Sequence, residues 1–141
     1  MSAFDCLDQA GSWFDGRVRL IPVPSHNDRR GELLPIDLEL LPWVPRRVFT
    51  ISNVPAGTCR GGHGHNSGRQ LLFCVQGQID VRLRYRGEEI ELVLTPGSPG
   101  ILIHEQVWAE QRYLLQHSVL LVFASEAYNP DSYFDIEAPG G

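Results

Sequence analysis

Residues 57–77 read GTCRGGHGHNSGRQLLFCVQG, a glycine-rich segment that carries two histidines one residue apart, His63 and His65. On a β-strand, side chains two residues apart point to the same face, so both imidazoles would lie side by side. Glycines around them remove side-chain bulk and let a ligand approach the backbone. The pattern favours a site on a strand face. The alternatives are a surface coincidence or two hydrogen-bonded core histidines.

The segments on either side of this stretch predict short strands separated by glycine and proline turns. Residues 78–86 show this most clearly, because apolar residues alternate with Asp80 and three arginines, which is typical of an antiparallel strand with one solvated face. No long amphipathic helix is evident, so we predict an all-β sandwich or barrel. The predicted strands are 17–23, 33–41, 47–54, 71–75, 78–86, 89–94, 101–104 and 118–124.

The length of 141 residues and an apolar content of 43% indicate a single globular domain. We place this domain at residues 17–134, between a loose N-terminal segment, 1–16, and a frayed tail, 135–141. The net charge of −5 argues against a general nucleic-acid binder. All twelve basic residues are arginine, which excludes Schiff-base lysine chemistry and the phosphate-binding P-loop lysine.

Three cysteines without a C-x-x-C pair favour a reduced, cytoplasmic protein. No apolar run reaches the length of a membrane span, and the N-terminus lacks the pattern of a secretion signal, so we expect no membrane partner.

The spacing around the histidines is Gly57-x5-His63-x-His65-x4-Gln70-x6-Gly77, which matches the first signature motif of the cupin barrel. Many cupins bind a metal through two histidines and an acid of this motif together with a later histidine. Here the acid is replaced by the neutral amide of Gln70, and no histidine stands at the expected later position. Because two imidazoles alone are a poor metal site, we predict no metal and no cofactor. A metal-dependent cupin remains the alternative, which elemental analysis would test.

Without a metal, the histidine pair still suits proton transfer, because histidine titrates near neutrality. Two imidazoles on one face can take a proton from one carbon of a sugar and return it to the next. A ketone that moves between neighbouring carbons through an enediol needs this chemistry and no cofactor.

Several further segments resemble one family of cupins, the WxcM-like (FdtA-type) nucleotide-sugar 3,4-ketoisomerases. The resemblance runs from Asp28 to Tyr133. Its most specific block is Arg60-Gly61-x-His63-x-His65. The other matching pieces are Asp28-Arg29-Arg30-Gly31-x-Leu33, Leu41-Pro42-Trp43, Arg47-Val48-Phe49, Gln70, Gly77, Val107-Trp108, Leu120-Leu121-Val122-Phe123-Ala124-Ser125 and Asp131-x-Tyr133.

This resemblance implies a jelly-roll homodimer, often with exchanged N-terminal strands, that acts on a dTDP-4-keto-6-deoxyhexose. It implies that His63 and His65 carry the proton transfer and that Arg60 holds the substrate or its diphosphate. We add Gln70, Arg30 and Trp108 as predicted substrate-binding residues. For Trp108, stacking on a base or sugar competes with a role as a buried core indole.

The chain departs from the family pattern at two places. The family usually has Trp-His where this chain has Trp108-Ala109, and it tends to have tyrosine after Arg-Val where Phe49-Thr50 stands here. Three explanations remain open. Either His104 or Glu110 compensates, or the substrate differs, or the protein is a non-catalytic cupin that binds a nucleotide sugar.

Overall fold

The computed structural model describes residues 11–134, and residues 1–10 and 135–141 lie outside the described part. The described chain forms β-strands joined by turns, with short 3₁₀ helices at Leu38–Leu40 and Pro130–Ser132. Its strands are β1 (Ser12–Trp13), β2 (Val18–Ile21), β3 (His26–Asp28), β4 (Gly31–Leu33), β5 (Arg47–Ile51), β6 (Thr58–His65), β7 (Gln70–Gln76), β8 (Ile79–Tyr85), β9 (Glu88–Leu94), β10 (Gly100–Ile103), β11 (Trp108–Tyr113), β12 (Val119–Ala124) and β13 (Tyr133–Phe134).

Two antiparallel sheets face each other. One has the strand order β1-β2-β10-β7-β12-β5, and the other has the order β13-β6-β11-β8-β9. The strands β3 and β4 form a separate two-stranded hairpin. The main core lies between the two large sheets and contains inward-facing residues of both, such as Val18, Leu72, Val81, Leu83 and Ile101. An apolar interior between two sheets is what stabilises a sandwich or barrel of this kind.

A second apolar cluster covers the outer face of the six-stranded sheet. Leu71, Phe73 and Leu102 point to this side, where residues from the segment between β4 and β5, including Leu41 and Trp43, pack on them. This face is therefore buried by a connecting segment of the same chain. The gap between the two large sheets, by contrast, contains a cavity.

The sequence predictions are confirmed for most strands. The alternation in β8 is observed: Ile79, Val81 and Leu83 are fully buried, while the residues between them are more exposed. The predicted strands around 17–23, 47–54, 71–75, 89–94, 101–104 and 118–124 correspond to β2, β5, β7, β9, β10 and β12. Within residues 11–134, no helix is long and apolar enough to cross a membrane.

Two local predictions were wrong or incomplete. The segment 33–41 is not one extended element, because after Leu33 it turns through a 3₁₀ helix at Leu38–Leu40 and packs on the second apolar cluster. Strand β11 was not predicted. Its sequence, WAEQRY, contains none of the β-branched residues that mark strands, and it is held in place by pairing with β6 and β8.

Part of the segment predicted as a loose N-terminus is described by the structure. There, Ser12–Trp13 pairs with β2 in an antiparallel ladder. Residues 1–10 and the predicted tail, 135–141, fall outside the described residues. The domain boundaries therefore stay a prediction.

Candidate functional site

Strand β6 carries both histidines into the barrel. His63 is paired with Ala109 of β11, an inward-facing core residue, so the imidazole of His63 faces the space between the sheets. His65 lies two residues further on and pairs with Tyr133 of β13. The two imidazole centroids are 5.8 Å apart, in an edge-to-face arrangement. The prediction that a shared strand face would bring these rings together agrees with this geometry.

A bulge in β6 brings Arg60 to the same cavity as His63. Arg60 and His63 are three positions apart, and in a regular strand an odd number of positions would put their side chains on opposite faces. The register between β6 and β11 shifts at this point, and Gly61 and Gly62 have φ values of 85° and 74°. Glycine adopts these angles without strain, which explains why two glycines precede His63.

The cavity between the sheets has a volume of about 170 Å³. Apolar side chains of β5, β7 and β12 form its wall, including Ile51, Leu72 and Val122. Its polar lining consists of Arg47, Arg60, His63, Gln70, Gln111 and Tyr133. A cavity with one apolar wall and several converging polar groups is typical of a small-molecule site.

His65 lies at a smaller depression that adjoins this cavity. Arg47, Gln70 and Tyr133 line both spaces, so the two are adjacent. Gln70 stands at the first position of β7, where it pairs with both β10 and β12. Of the predicted site residues, the structure therefore brings together His63, His65, Arg60 and Gln70.

Tyr133 is a residue that the sequence predictions did not assign to the site. Its ring centroid lies 4.6 Å from that of His63 and 4.4 Å from that of His65. Strand β13 can lie close to β6 because Gly64 has no side chain; a Cβ atom there would clash with the ring of Phe134 and the carbonyl of Val107. The available sequence signal was the matching piece Asp131-x-Tyr133, but it stands 68 residues after His65 and nothing local links the two.

Arg47 was also not assigned. Its guanidinium lies 4.4 Å from the centroid of the Phe49 ring and 5.2 Å from that of Tyr128, which are cation–π distances. Phe49 occupies the place where the family tends to have tyrosine, and here the ring supports Arg47 at the cavity wall. Together with Arg60, this residue gives the cavity two guanidinium groups.

The pKa of His65 is lowered from its ordinary value of 6.5 to about 4. Burial is the main cause, because it disfavours the charged imidazolium. The neighbouring His63 and the positive charge of Arg47 lower the pKa further, while the carboxylate of Glu126 acts in the opposite direction. His65 is therefore neutral at physiological pH and can accept a proton.

Two predicted substrate-binding residues lie away from this cavity. Trp108 is buried on the opposite face of the sheet, where the guanidinium groups of Arg84 and Arg82 lie 4.9 Å and 5.6 Å from its ring. Arg30 lies in the exposed hairpin, where its Nη2 atom is 2.7 Å from a carboxylate oxygen of Asp28. In this single chain, neither residue reaches the histidines.

The two candidates for compensating the absent late histidine also lie elsewhere. Glu110 points to the same outer face as Trp108 and forms an ion pair with Arg82, with 3.0 Å between Oε1 and Nη2. His104 lines a separate cavity with Arg17 and Tyr85. Among residues 11–134, no three His, Cys, Asp or Glu side chains converge into a group that would bind a metal ion. The absence of a metal cofactor stays a prediction.

Comparison with known proteins shows the family to which this chain belongs. The family model FdtA, described as WxcM-like, C-terminal, matches residues 16–137. The chain belongs to the FdtA family. This membership confirms the resemblance that the Arg60-Gly61-x-His63-x-His65 block indicated.

Sugar-nucleotide isomerases are among the proteins to which this chain is similar. A TDP-4-oxo-6-deoxy-α-D-glucose-3,4-oxoisomerase from Aneurinibacillus thermoaerophilus is 29% identical over 107 residues, which are 75% of this chain and 77% of that protein. The 3,4-ketoisomerase QdtA from Thermoanaerobacterium thermosaccharolyticum, as a variant in complex with TDP-4-keto-6-deoxyglucose, is 33% identical, with a TM-score of 0.79 over 84% of this chain and 87% of that one.

A 3,4-ketoisomerase from Helicobacter canadensis is 26% identical, with a TM-score of 0.77 over 84% of this chain and 90% of that one. These structural neighbours and the two antiparallel sheets confirm the predicted all-β, cupin-type jelly-roll fold in a single domain.

Proposed function

We propose that this protein is a nucleotide-sugar 3,4-ketoisomerase that acts on a TDP-4-keto-6-deoxyhexose without a cofactor. The observation that carries the proposal is the pair of imidazoles of His63 and His65, 5.8 Å apart, at a cavity that also contains two arginines. Burial lowers the pKa of His65, which favours its neutral form. QdtA, which is 33% identical, is a 3,4-ketoisomerase, and its solved complex contains TDP-4-keto-6-deoxyglucose. This similarity supports the same substrate class here.

The proposed reaction moves a carbonyl group from C4 of the sugar to C3. One of the two imidazoles removes the hydrogen of C3 as a proton, and the electron pair forms the C3–C4 double bond of an enediol while the C4 oxygen gains a proton. The enediol then collapses: the C3 oxygen loses its proton, and C4 receives a proton from an imidazole. Substrate and product are isomers, so no oxidant or reductant is needed.

The arginines suit the diphosphate and the sugar oxygens. Arg60 is exposed at the cavity, and Arg47 is half-buried beside Phe49. A guanidinium group remains charged at any physiological pH and can donate two parallel hydrogen bonds to a phosphate group. We therefore assign substrate binding to Arg60, with Arg47 as a second cation. The amide of Gln70 lines both the cavity and the depression at His65 and can hydrogen-bond a sugar hydroxyl or carbonyl.

The purified protein is expected to convert TDP-4-keto-6-deoxyglucose to its 3-keto isomer in the absence of added cofactor. In D₂O the product should carry deuterium at C4, because the migrating proton exchanges with solvent at the imidazole. Proton NMR of the reaction measures both results. Elemental analysis of the same preparation tests the metal-dependent alternative, which a stoichiometric metal would support.

A second candidate is a cupin that binds the nucleotide sugar without isomerising it. The specific observation in its favour is Ala109, which pairs with His63 at the place where the family usually has a histidine. A protein whose melting temperature rises with TDP, but which incorporates no deuterium into the bound sugar, would support this candidate and refute the isomerase.

We propose that the enzyme works as a cytoplasmic homodimer, with N-terminal strands exchanged between subunits. The β3–β4 hairpin is exposed along its whole length, and several large apolar side chains near it are uncovered, including Leu33 (61% exposed), Leu38 (53%) and Val44 (80%). Cys59 and Cys74 are free thiols, which is consistent with a reducing compartment.

Sedimentation equilibrium is expected to give twice the chain mass of 15.8 kDa. A second copy on this surface would bury apolar groups that the single chain leaves in water, which favours association. A mass of one chain at micromolar concentration would refute the dimer without bearing on the isomerase.

A further inference from the structure

The proposed isomerisation has two kinds of proton transfer. One kind is at carbon, where a proton leaves C3 and another arrives at C4. The other kind is at oxygen, where the C4 oxygen gains a proton and the C3 oxygen loses one. The histidine pair serves the carbon atoms, and a group that exchanges protons with both oxygens is still to be assigned. The inference below rests on the proposed function and deepens it.

Few of the described polar residues that line the cavity can exchange a proton. The guanidinium groups of Arg47 and Arg60 stay protonated in proteins, and the amides of Gln70 and Gln111 do not act as acids or bases at physiological pH. These four residues can orient the sugar but cannot pass a proton to it. Apart from the histidines, the proton-exchanging group in this polar lining is the phenol of Tyr133.

The position of Tyr133 suits this role. Its centroid is 4.6 Å from that of His63 and 4.4 Å from that of His65, whereas the two imidazoles are 5.8 Å from each other, so the phenol ring contacts both members of the pair. It lines both the cavity between the sheets and the adjoining depression at His65. A sugar carbon close enough to transfer a proton to an imidazole would bring its attached oxygen close to this ring.

We propose that Tyr133 is a third catalytic residue, whose hydroxyl exchanges protons with the C3 and C4 oxygens of the sugar. As His65 removes the C3 proton, Tyr133 donates its proton to the C4 oxygen and becomes a phenolate. As the enediol collapses, the phenolate accepts the proton of the C3 oxygen and the imidazolium returns a proton to C4. Each group ends in its starting state, and the two adjacent oxygens are served by one phenol.

The packing of β13 supports this assignment. Tyr133 is held opposite His65 by the ladder between β13 and β6, and its backbone N–H donates to the carbonyl of Pro130, the first residue of the preceding 3₁₀ helix. On the other side, the ring of Tyr128 lies 5.9 Å away. A residue held on several sides keeps its hydroxyl group in one region, as proton transfer to a bound substrate requires.

The test compares Tyr133→Phe with the wild type on TDP-4-keto-6-deoxyglucose. Phenylalanine keeps the ring against both imidazoles and removes only the hydroxyl. We expect kcat to fall by about 10²- to 10⁴-fold, the range typical of losing one general acid–base group. The KM should stay within about threefold of the wild-type value, because the residues proposed to bind the nucleotide are intact. For the same reason, the rise in melting temperature with TDP should equal that of the wild type within error.

Tyr85→Phe is the matched control, because this phenol lies in a separate cavity with Arg17 and should leave kcat unchanged. A Tyr133→Phe variant with kcat within threefold of an active wild type would overturn the catalytic role of the phenol and leave the isomerase intact. A loss of kcat accompanied by an equal loss of TDP binding would also overturn it, in favour of a binding role. A wild type that binds TDP but does not isomerise the sugar would overturn both proposals.

Discussion

Replacing His65 by asparagine is expected to lower kcat by about 10²- to 10⁴-fold while TDP binding is kept. Asparagine retains a polar group at a strand position beside His63 and Tyr133, but its amide cannot accept and return a proton. The fold should persist, because His65 lies at the edge of the cavity rather than in the main core. Steady-state kinetics on TDP-4-keto-6-deoxyglucose, together with thermal shifts by TDP, measures both parts.

His117→Asn provides the control for this substitution. His117 is exposed in the turn before β12 and has a φ value of 64°, a conformation that asparagine tolerates well. The His117→Asn substitution should leave kcat and the melting temperature unchanged. If His65→Asn turned over as fast as this control, His63 alone would have to carry the carbon-directed proton transfer and the assignment to His65 would be wrong.

The second large effect concerns pH. If His65 is the base in the free enzyme, kcat/KM is expected to stay near its maximum from pH 7 down to about pH 5 and to reach half-maximum near the His65 pKa of about 4. A histidine with the ordinary pKa of 6.5 would be only about 3% neutral at pH 5, whereas His65 would be about 90% neutral. The two cases therefore differ by about 30-fold in active enzyme at that pH.

The groups that set this pKa are His63, Arg47 and Glu126, in addition to burial. Because the pKa of His65 is lowered on folding, the unfolded chain binds more protons than the folded chain between about pH 6.5 and 4. The free energy of unfolding should therefore fall as the pH decreases through this window, so circular dichroism at each pH must confirm that the enzyme is still folded. An acid limb with a midpoint near 6.5 in folded protein would contradict the assignment of His65 as a buried base.

The sequence predicted more of the site than of its surroundings. The two-residue spacing of His63 and His65 sufficed to place both imidazoles on one face, because successive side chains along a strand alternate between its two faces. The strong alternation of β8 revealed its buried face for the same reason. Regular alternation would have put Arg60 and His63 on opposite faces. Both line the same cavity because of a bulge that only the register with β11 shows.

The residues that the sequence predictions missed lie far along the chain from the histidines. Tyr133 reaches the site because β13 pairs with β6 across 68 residues of sequence, and Arg47 reaches it because β5 borders the same cavity. Local patterns carry no information about such contacts, which depend on how the sheets pair. The same limit applies to Trp108, because the sequence alone did not distinguish stacking on a ligand from burial in the protein.

The amino-acid sequence by itself determined the all-β class, the histidine pair and the family, because these depend on local periodicity and on a motif of fixed spacing. Only the tertiary structure decided which faces meet. It placed Trp108 on the outer face against two arginines and brought Tyr133 into contact with both imidazoles. The physical reason is that strand pairing and sheet packing join residues distant in sequence, and these contacts determine which side chains share a cavity.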